Sequence, residues 1–183
     1  MSEDTELRLS PEGATFIDAG ADSLVYKIGN EVVKVYKKQG VERIQLYKQV
    51  TNQTAEQLRV QAKVYQIVIG GRTYSYTVSV NPITAVGEHP SFPGKVTSTA
   101  EYIPGPRLTD PFPPEVPFKN REFADPVSVH LEALSDQLNK QMGVKGILIV
   151  EPNVKFEYNR QKPEISLTVT DISSHIWSLS LPT

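Results

Sequence analysis

The chain has no cysteine, which excludes disulfides, thiolate nucleophiles and cysteine-ligated zinc together. Its three histidines, His89, His130 and His175, are scattered without ligand spacing, so a histidine metal site is not expected either. An excess of one charge is also missing: 19 Lys and Arg against 21 Asp and Glu leave a net charge of −2. That balance gives no electrostatic reason to expect nucleic acid or an anionic membrane as a partner. No apolar run approaches the roughly 18 residues of a membrane span. The acidic opening "MSEDTE" lacks the cationic start of a signal peptide. Internal repeats and low-complexity tracts are absent. These absences lead to the expectation of a soluble, cytoplasmic protein.

What remains is ordinary globular material. The 183 residues are 39% hydrophobic and 22% charged, enough for one domain or two small lobes with a buried core. Residues 1–12 are polar and read as a loose tail. "ATFIDAG", "DSLVYKIG" and "NEVVKVYKK" then read as three short strands, the last two joined by a Gly-Asn turn at 29–30. From Val41 to about Tyr65 no Gly or Pro occurs, and the composition favours helix. At about 100° per residue, Ile44, Tyr47, Thr51, Ala55, Leu58, Ala62 and Tyr65 share one face. The glycine pair 70–71 is read as the end of that segment. "RTYSYTVSVNPITAV" and "KVTSTAEYI" read as two further strands.

Six prolines between Pro104 and Pro117 mark a semi-rigid connector, 104–120, between a first lobe, 13–103, and a second, 121–183. "DPVSVHLEALSDQLNKQMG" is expected to be helical, capped by Asp125, with Pro126 in the first turn and Gly143 as the stop. "GILIV", "NVKFEY" and "EISLTVTDI" read as three short strands. The order predicts an α+β protein of two lobes, and a cleft between lobes is a common ligand site. Lys34, in the middle of "VVKVY", has two readings. Either it reaches solvent from an edge strand, or it is held in a pocket to meet an anion.

Four stretches, taken in order, resemble the protein-kinase fold. "DAGADSLVY" is similar to a glycine-rich loop, with Gly20 as its middle glycine and Val25 as the following valine. "VVKVY" is similar to the strand carrying the phosphate-binding lysine, here Lys34. "AEYIPGPRL" resembles the hinge. "EPNVKF" followed by "LTVTDI" resembles the catalytic-loop asparagine and the metal-binding aspartate, here Asn153 and Asp171. The resemblance implies an antiparallel five-stranded N-lobe with one long helix and a minimal C-lobe of one main helix and three short strands. It implies ATP, with the backbone of Glu101 and Ile103 pairing with the adenine edge, Val25 and Val32 roofing it, and Ala100 opening the back of the pocket. Mg²⁺ would be held by Asn153 and Asp171, an amide oxygen and a carboxylate being hard ligands suited to it.

Each residue also has a plain structural reading. Gly20 could serve only a turn, Asn153 an Asx turn after Pro152, and Asp171 a cap for the segment that follows it.

Several parts of the pattern are missing. Asp18 and Ser23 stand where the first and third glycines would be, and Asp18 puts a negative charge near any phosphate. Counting back from Asn153, the catalytic aspartate would fall on Leu148, so no general base is present. Glu42 and Glu56 lie on the far side of the helix wheel from its apolar face, so either Lys34 pairs with Asp171 directly or the helix is rotated. Too little chain follows Asp171 for an activation segment. The expectation is therefore a pseudokinase-like domain that binds a nucleotide without efficient protein phosphorylation. An atypical small-molecule phosphotransferase and a protein-interaction module that binds no nucleotide stand as alternatives.

Overall fold

The computed structural model describes residues 11–173 and 175–181. The expected loose tail therefore lies almost wholly outside the described residues. Alternation of apolar and polar residues builds the first sheet from β1 (Ala14–Ala19), β2 (Ser23–Ile28) and β3 (Glu31–Tyr36). Helix α1 (Val41–Gln61) follows, then β4 (Tyr65–Ile69), β5 (Arg72–Val80), β6 (Ile83–His89) and β7 (Phe92–Glu101). Helix α2 (Asn120–Met142), β8 (Val154–Asn159) and β9 (Glu164–Val169) complete the set. The protein is α+β, with an antiparallel sheet ordered β1-β2-β3-β7-β6 and a second ordered β4-β5-β9-β8.

In the first sheet the side-chain period of two separates two environments. Leu24, Tyr26, Val33 and Val35 are fully buried on one face, with Phe92 beside them. Val25, Val32 and Lys34 turn to the other face, where the cleft lies. β3 pairs with β2 on one side and β7 on the other, so Lys34 is on an interior strand. The edge-strand reading of this lysine is thereby removed.

α1 buries Ile44, Tyr47, Val50, Thr51, Thr54 and Leu58 against β5, β6 and β7. The expected face is correct as far as Leu58. The helix stops at Gln61, with Ala62 left-handed at φ 47° and its N–H on the Leu58 carbonyl. The expected continuation to Tyr65 is corrected by β4, whose half-buried Tyr65, Ile67 and Ile69 alternate with exposed Gln66 and Val68. Gly70 and Gly71, at φ 59° and 78°, make the two-residue turn of a β4–β5 hairpin, the type that needs positive φ at both positions.

That hairpin belongs to the second sheet. β5 runs parallel to β9 from Ser75↔Glu164 to Val80↔Val169. "RTYSYTVSVNPITAV" is consequently two strands in two sheets, divided at Asn81–Pro82. The hairpin docks on α2 through Tyr65, whose ring lies 4.2 Å from that of His130, and through Tyr76, whose hydroxyl is 2.7 Å from His130 Nδ1.

α2 begins earlier than expected. Lys119 is its N-cap residue, and the Lys119 N–H donates to Glu122 Oε2 at 2.7 Å. Asp125 lies inside the helix, paired with Arg121 at 3.3 Å, and Pro126 sits beyond the first turn. Gly143 ends the helix at φ 64°, as expected. Phe123, Leu131, Leu134 and Leu138 on its inner face are at most 2% exposed. They share a core with Leu108, Phe118, Phe156, Ile165 and Leu167. Each such side chain contributes about 1.5–3 kcal/mol on burial. The strand expected at 146–150 is corrected, because this stretch joins no ladder: the Ile147 N–H donates to Asn139 Oδ1 at 3.0 Å and the Leu148 N–H to the Ile172 carbonyl at 2.8 Å.

Candidate functional site

Gly20, Ser23, Val25, Val32, Lys34, Ala100, Glu101, Ile103, Asn153 and Asp171 all line one cleft of about 360 Å³. Strand register accounts for much of this. Val25 faces Lys34 across β2–β3, Lys34 faces Ser98 across β3–β7, and Val32 faces Ala100. From the second sheet, Thr170 donates its N–H to the Asn153 carbonyl at 2.8 Å, bringing the Asn153–Asp171 corner under the first sheet. Asn153 ends the 3-10 turn Glu151–Asn153, with Pro152 in its middle. Its side-chain amide meets no protein partner among the described residues.

At the inner end, Lys34 Nζ lies 3.4 Å from Asp171 Oδ2, with the two side chains 17% and 30% exposed. The third member comes from α1. Tyr47, 2% exposed, donates its hydroxyl to Asp171 Oδ1 at 2.7 Å and accepts from Lys34 Nζ at 3.4 Å. Burial first, and then the Asp171 charge, push the Tyr47 phenol well above its ordinary value, so it remains a donor. Oδ1 also accepts the Ser173 N–H at 3.1 Å, so the capping role considered for Asp171 is realised as a local turn. Glu56 is exposed and turned away, bonded to Arg59. Tyr47 thus stands where a glutamate was sought. Its place between Ile44 and Thr51 on the apolar face was visible in the sequence, but its hydroxyl's destination was not.

The turn at 20–23 is fixed from several sides. The Gly20 N–H donates to the Ser23 carbonyl at 2.8 Å. Asp22 accepts from the Gln39 side chain at 3.2 Å and from the Ile176 N–H at 3.0 Å. Asp18, expected to repel phosphate, is 3.8 Å from Arg107, which also pairs with Asp110 at 3.3 Å. Arg107 is thus shared between two carboxylates and offsets the Asp18 charge only in part.

Asn81, Arg107 and Lys155 also line the cleft and were not singled out. Lys155 follows from the alternation of "NVKFEY": Val154 and Phe156 are buried in the core, which turns Lys155 to the other face with Asn153. Its ammonium donates to the Gly105 carbonyl at 3.0 Å. Burial, and then Arg107, hold it below its ordinary value.

Asn81 joins the two sheets. Its N–H donates to the Val169 carbonyl at 2.9 Å and its amide to the Glu101 carbonyl at 2.8 Å. One of the hinge groups expected to meet a base is thus already bonded, whereas the Ile103 N–H has no protein acceptor among the described residues. Asn81→Ala should lower stability by about 1 kcal/mol, the net worth of one such hydrogen bond. The check is a urea unfolding midpoint that falls while the slope stays constant.

The resemblance implies a divalent cation at Asn153 and Asp171. The donors there do not fit a chelated ion, because both hydrogen bonds at Oδ1 occupy it and Oδ2 faces an ammonium. No group of three or more acidic or histidine side chains is brought together elsewhere among the described residues. None of the described helices is long and apolar enough to cross a membrane.

No family model and no curated protein matches the chain. Among solved structures it is similar to the PknI kinase domain of Mycobacterium tuberculosis. A double mutant of that domain superposes with a TM-score of 0.43 at 16% identity, over 96% of this chain and 64% of that one. The domain without substitutions gives 0.38 at 16% identity, over 90% and 62%. The chain spans less than two thirds of the length of these domains. At such overlap, the role of each residue has to come from its own surroundings.

Proposed function

We propose that this chain is a reduced, kinase-like domain that binds a nucleotide such as ATP in the cleft and does not transfer its phosphate to protein. One observation carries the reading. Residues from four separated stretches, 20–34, 100–103, 153 and 171, line a single cleft with Lys34 at its inner end. Apolar Val25, Val32 and Ala100 offer walls to a flat base, and the free Ile103 N–H offers it a hydrogen bond. Lys34 supplies a point charge for a phosphate. Leu148 supports binding without transfer. It is 43% exposed where the resemblance asks for a carboxylate, and its side chain can neither accept a proton nor orient a hydroxyl.

A thermal melt tests this. ATP at a hundred times its dissociation constant should stabilise by about 2.7 kcal/mol, which is about 5–10 °C for a chain of this size. Lys34→Ala should remove most of that shift while melting near the parent without ligand. No shift with millimolar ATP, or the same shift in Lys34→Ala, overturns the reading.

A further inference from the structure

We infer that the cleft takes its nucleotide as the bare anion, without a divalent cation, and that the Tyr47 hydroxyl is what sets this preference; the inference rests on the nucleotide reading above.

A carboxylate has roughly four lone-pair positions. At Asp171 the Oδ1 pair is used by the Tyr47 hydroxyl at 2.7 Å and the Ser173 N–H at 3.1 Å. Oδ2 has the Lys34 ammonium at 3.4 Å. Chelation through both oxygens would require the Tyr47 hydroxyl to give up Oδ1 at a site where the residue is 2% exposed. A cation bound to Oδ2 alone would lie beside Lys34. Mg²⁺ requires near-octahedral coordination at about 2.0–2.1 Å and gives up its waters reluctantly, so a single contested oxygen is a poor offer.

The same hydrogen bonds suit a bare anion. When a phosphate draws Lys34 away, Asp171 keeps its two donors and is not left as an unpaired charge. Tyr47 thus does at Asp171 what a metal would otherwise do: it compensates the carboxylate. A second cation is supplied by the wall itself. Lys155, the second residue of β8, lines the same cleft, and among the described residues its hydrogen bond is to a carbonyl, not a carboxylate. A free nucleoside triphosphate carries more negative charge than its magnesium complex. Lys34, Arg107 and Lys155 line the cleft against Asp18, Glu101 and Asp171, so the more charged form is favoured where the phosphates meet the cations directly.

The experiment measures ATP affinity by calorimetry on the whole chain, once in EDTA and once in millimolar Mg²⁺. The expected result is a dissociation constant in EDTA equal to or lower than that in Mg²⁺. Tenfold or tighter binding in Mg²⁺ overturns the inference and leaves nucleotide binding standing. No binding in either buffer overturns both. Tyr47→Phe keeps the buried ring and removes only the oxygen, so it should fold. It should gain a severalfold preference for Mg²⁺, and a variant indifferent to metal overturns the role given to the hydroxyl. Asp171→Asn gives a further distinction: affinity in millimolar Mg²⁺ should hold or rise, where a metal-chelating aspartate would lose binding in that buffer. Mn²⁺ alone supplies a readout without nucleotide. Water proton relaxation should show no site on the parent chain at submillimolar ion and one on Tyr47→Phe; a site on the parent overturns the inference.

Discussion

Gly146→Ala should lower the melting midpoint by about 10 °C and detach the end of the chain. A Cβ at this position would run into the Ser178 carbonyl oxygen and lie 2.9 Å from the Leu179 Cα, with φ at +96°. Both neighbours are backbone atoms of a segment held by other bonds, so neither can turn aside as a side chain would. Backbone strain of this kind costs about 1–3 kcal/mol, and the overpacking a further 1–3 kcal/mol. The alternative to bearing that cost is release of 176–180. Release would expose Ile176 and Leu179, 4% and 1% exposed. It would also break the Arg43–Leu179, Asp22–Ile176 and Lys145–Ser180 hydrogen bonds. Hydrogen exchange distinguishes the outcomes: amides 176–180 lose protection if the segment detaches. A midpoint within about 2 °C of the parent would mean that this segment does not lie over Gly146 in solution.

Phe123→Ala should be the most damaging core truncation, at about 3–5 kcal/mol. Phe123 is fully buried, and its ring centre is 5.3 Å from that of Phe156, 5.7 Å from Tyr76 and 5.9 Å from Phe118. These rings come from α2, β8, β5 and the connector, so the cavity would open where four parts of the chain meet. Collapse into it is restricted because each neighbour is anchored by its own element. Chemical denaturation should show the full loss in the midpoint. Phe123→Leu, which fills most of the volume, should recover more than half of it.

Legibility in the sequence followed how local each signal was. Tyr26, Val33 and Val35 against Val25, Val32 and Lys34 could be read by alternation alone, because β2 and β3 are joined by a two-residue turn. The inner face of α1 was readable to Leu58 for the same reason. Its end was not, because Ala62 closes the helix without a Gly or Pro. The glycine pair that looked like a helix stop is the turn of the next hairpin. The two turn residues and the alternation of Tyr65, Ile67 and Ile69 were present, but the helix reading had absorbed them. Nor could the sequence say that β5 would pair in parallel with a strand more than eighty positions later, since such a contact leaves no local trace.

At the cleft, the ten residues chosen by their order do converge. What order could not supply was direction: that Tyr47 would bond Asp171, that Arg107 would offset Asp18, and that Asn81 would take the Glu101 carbonyl. Those depend on how two sheets meet.

That meeting has a mechanical consequence. The chain passes between the sheets after α1, again at Asn81–Pro82, and again through 102–119. Two halves joined by one strand can swing open like a book; three crossings restrict that swing. The mouth of this cleft should keep a constant gape whether full or empty, and small-angle scattering should give one radius of gyration in both states. A guest would enter a slot of fixed width, selected for thickness, with no clamshell closure behind it.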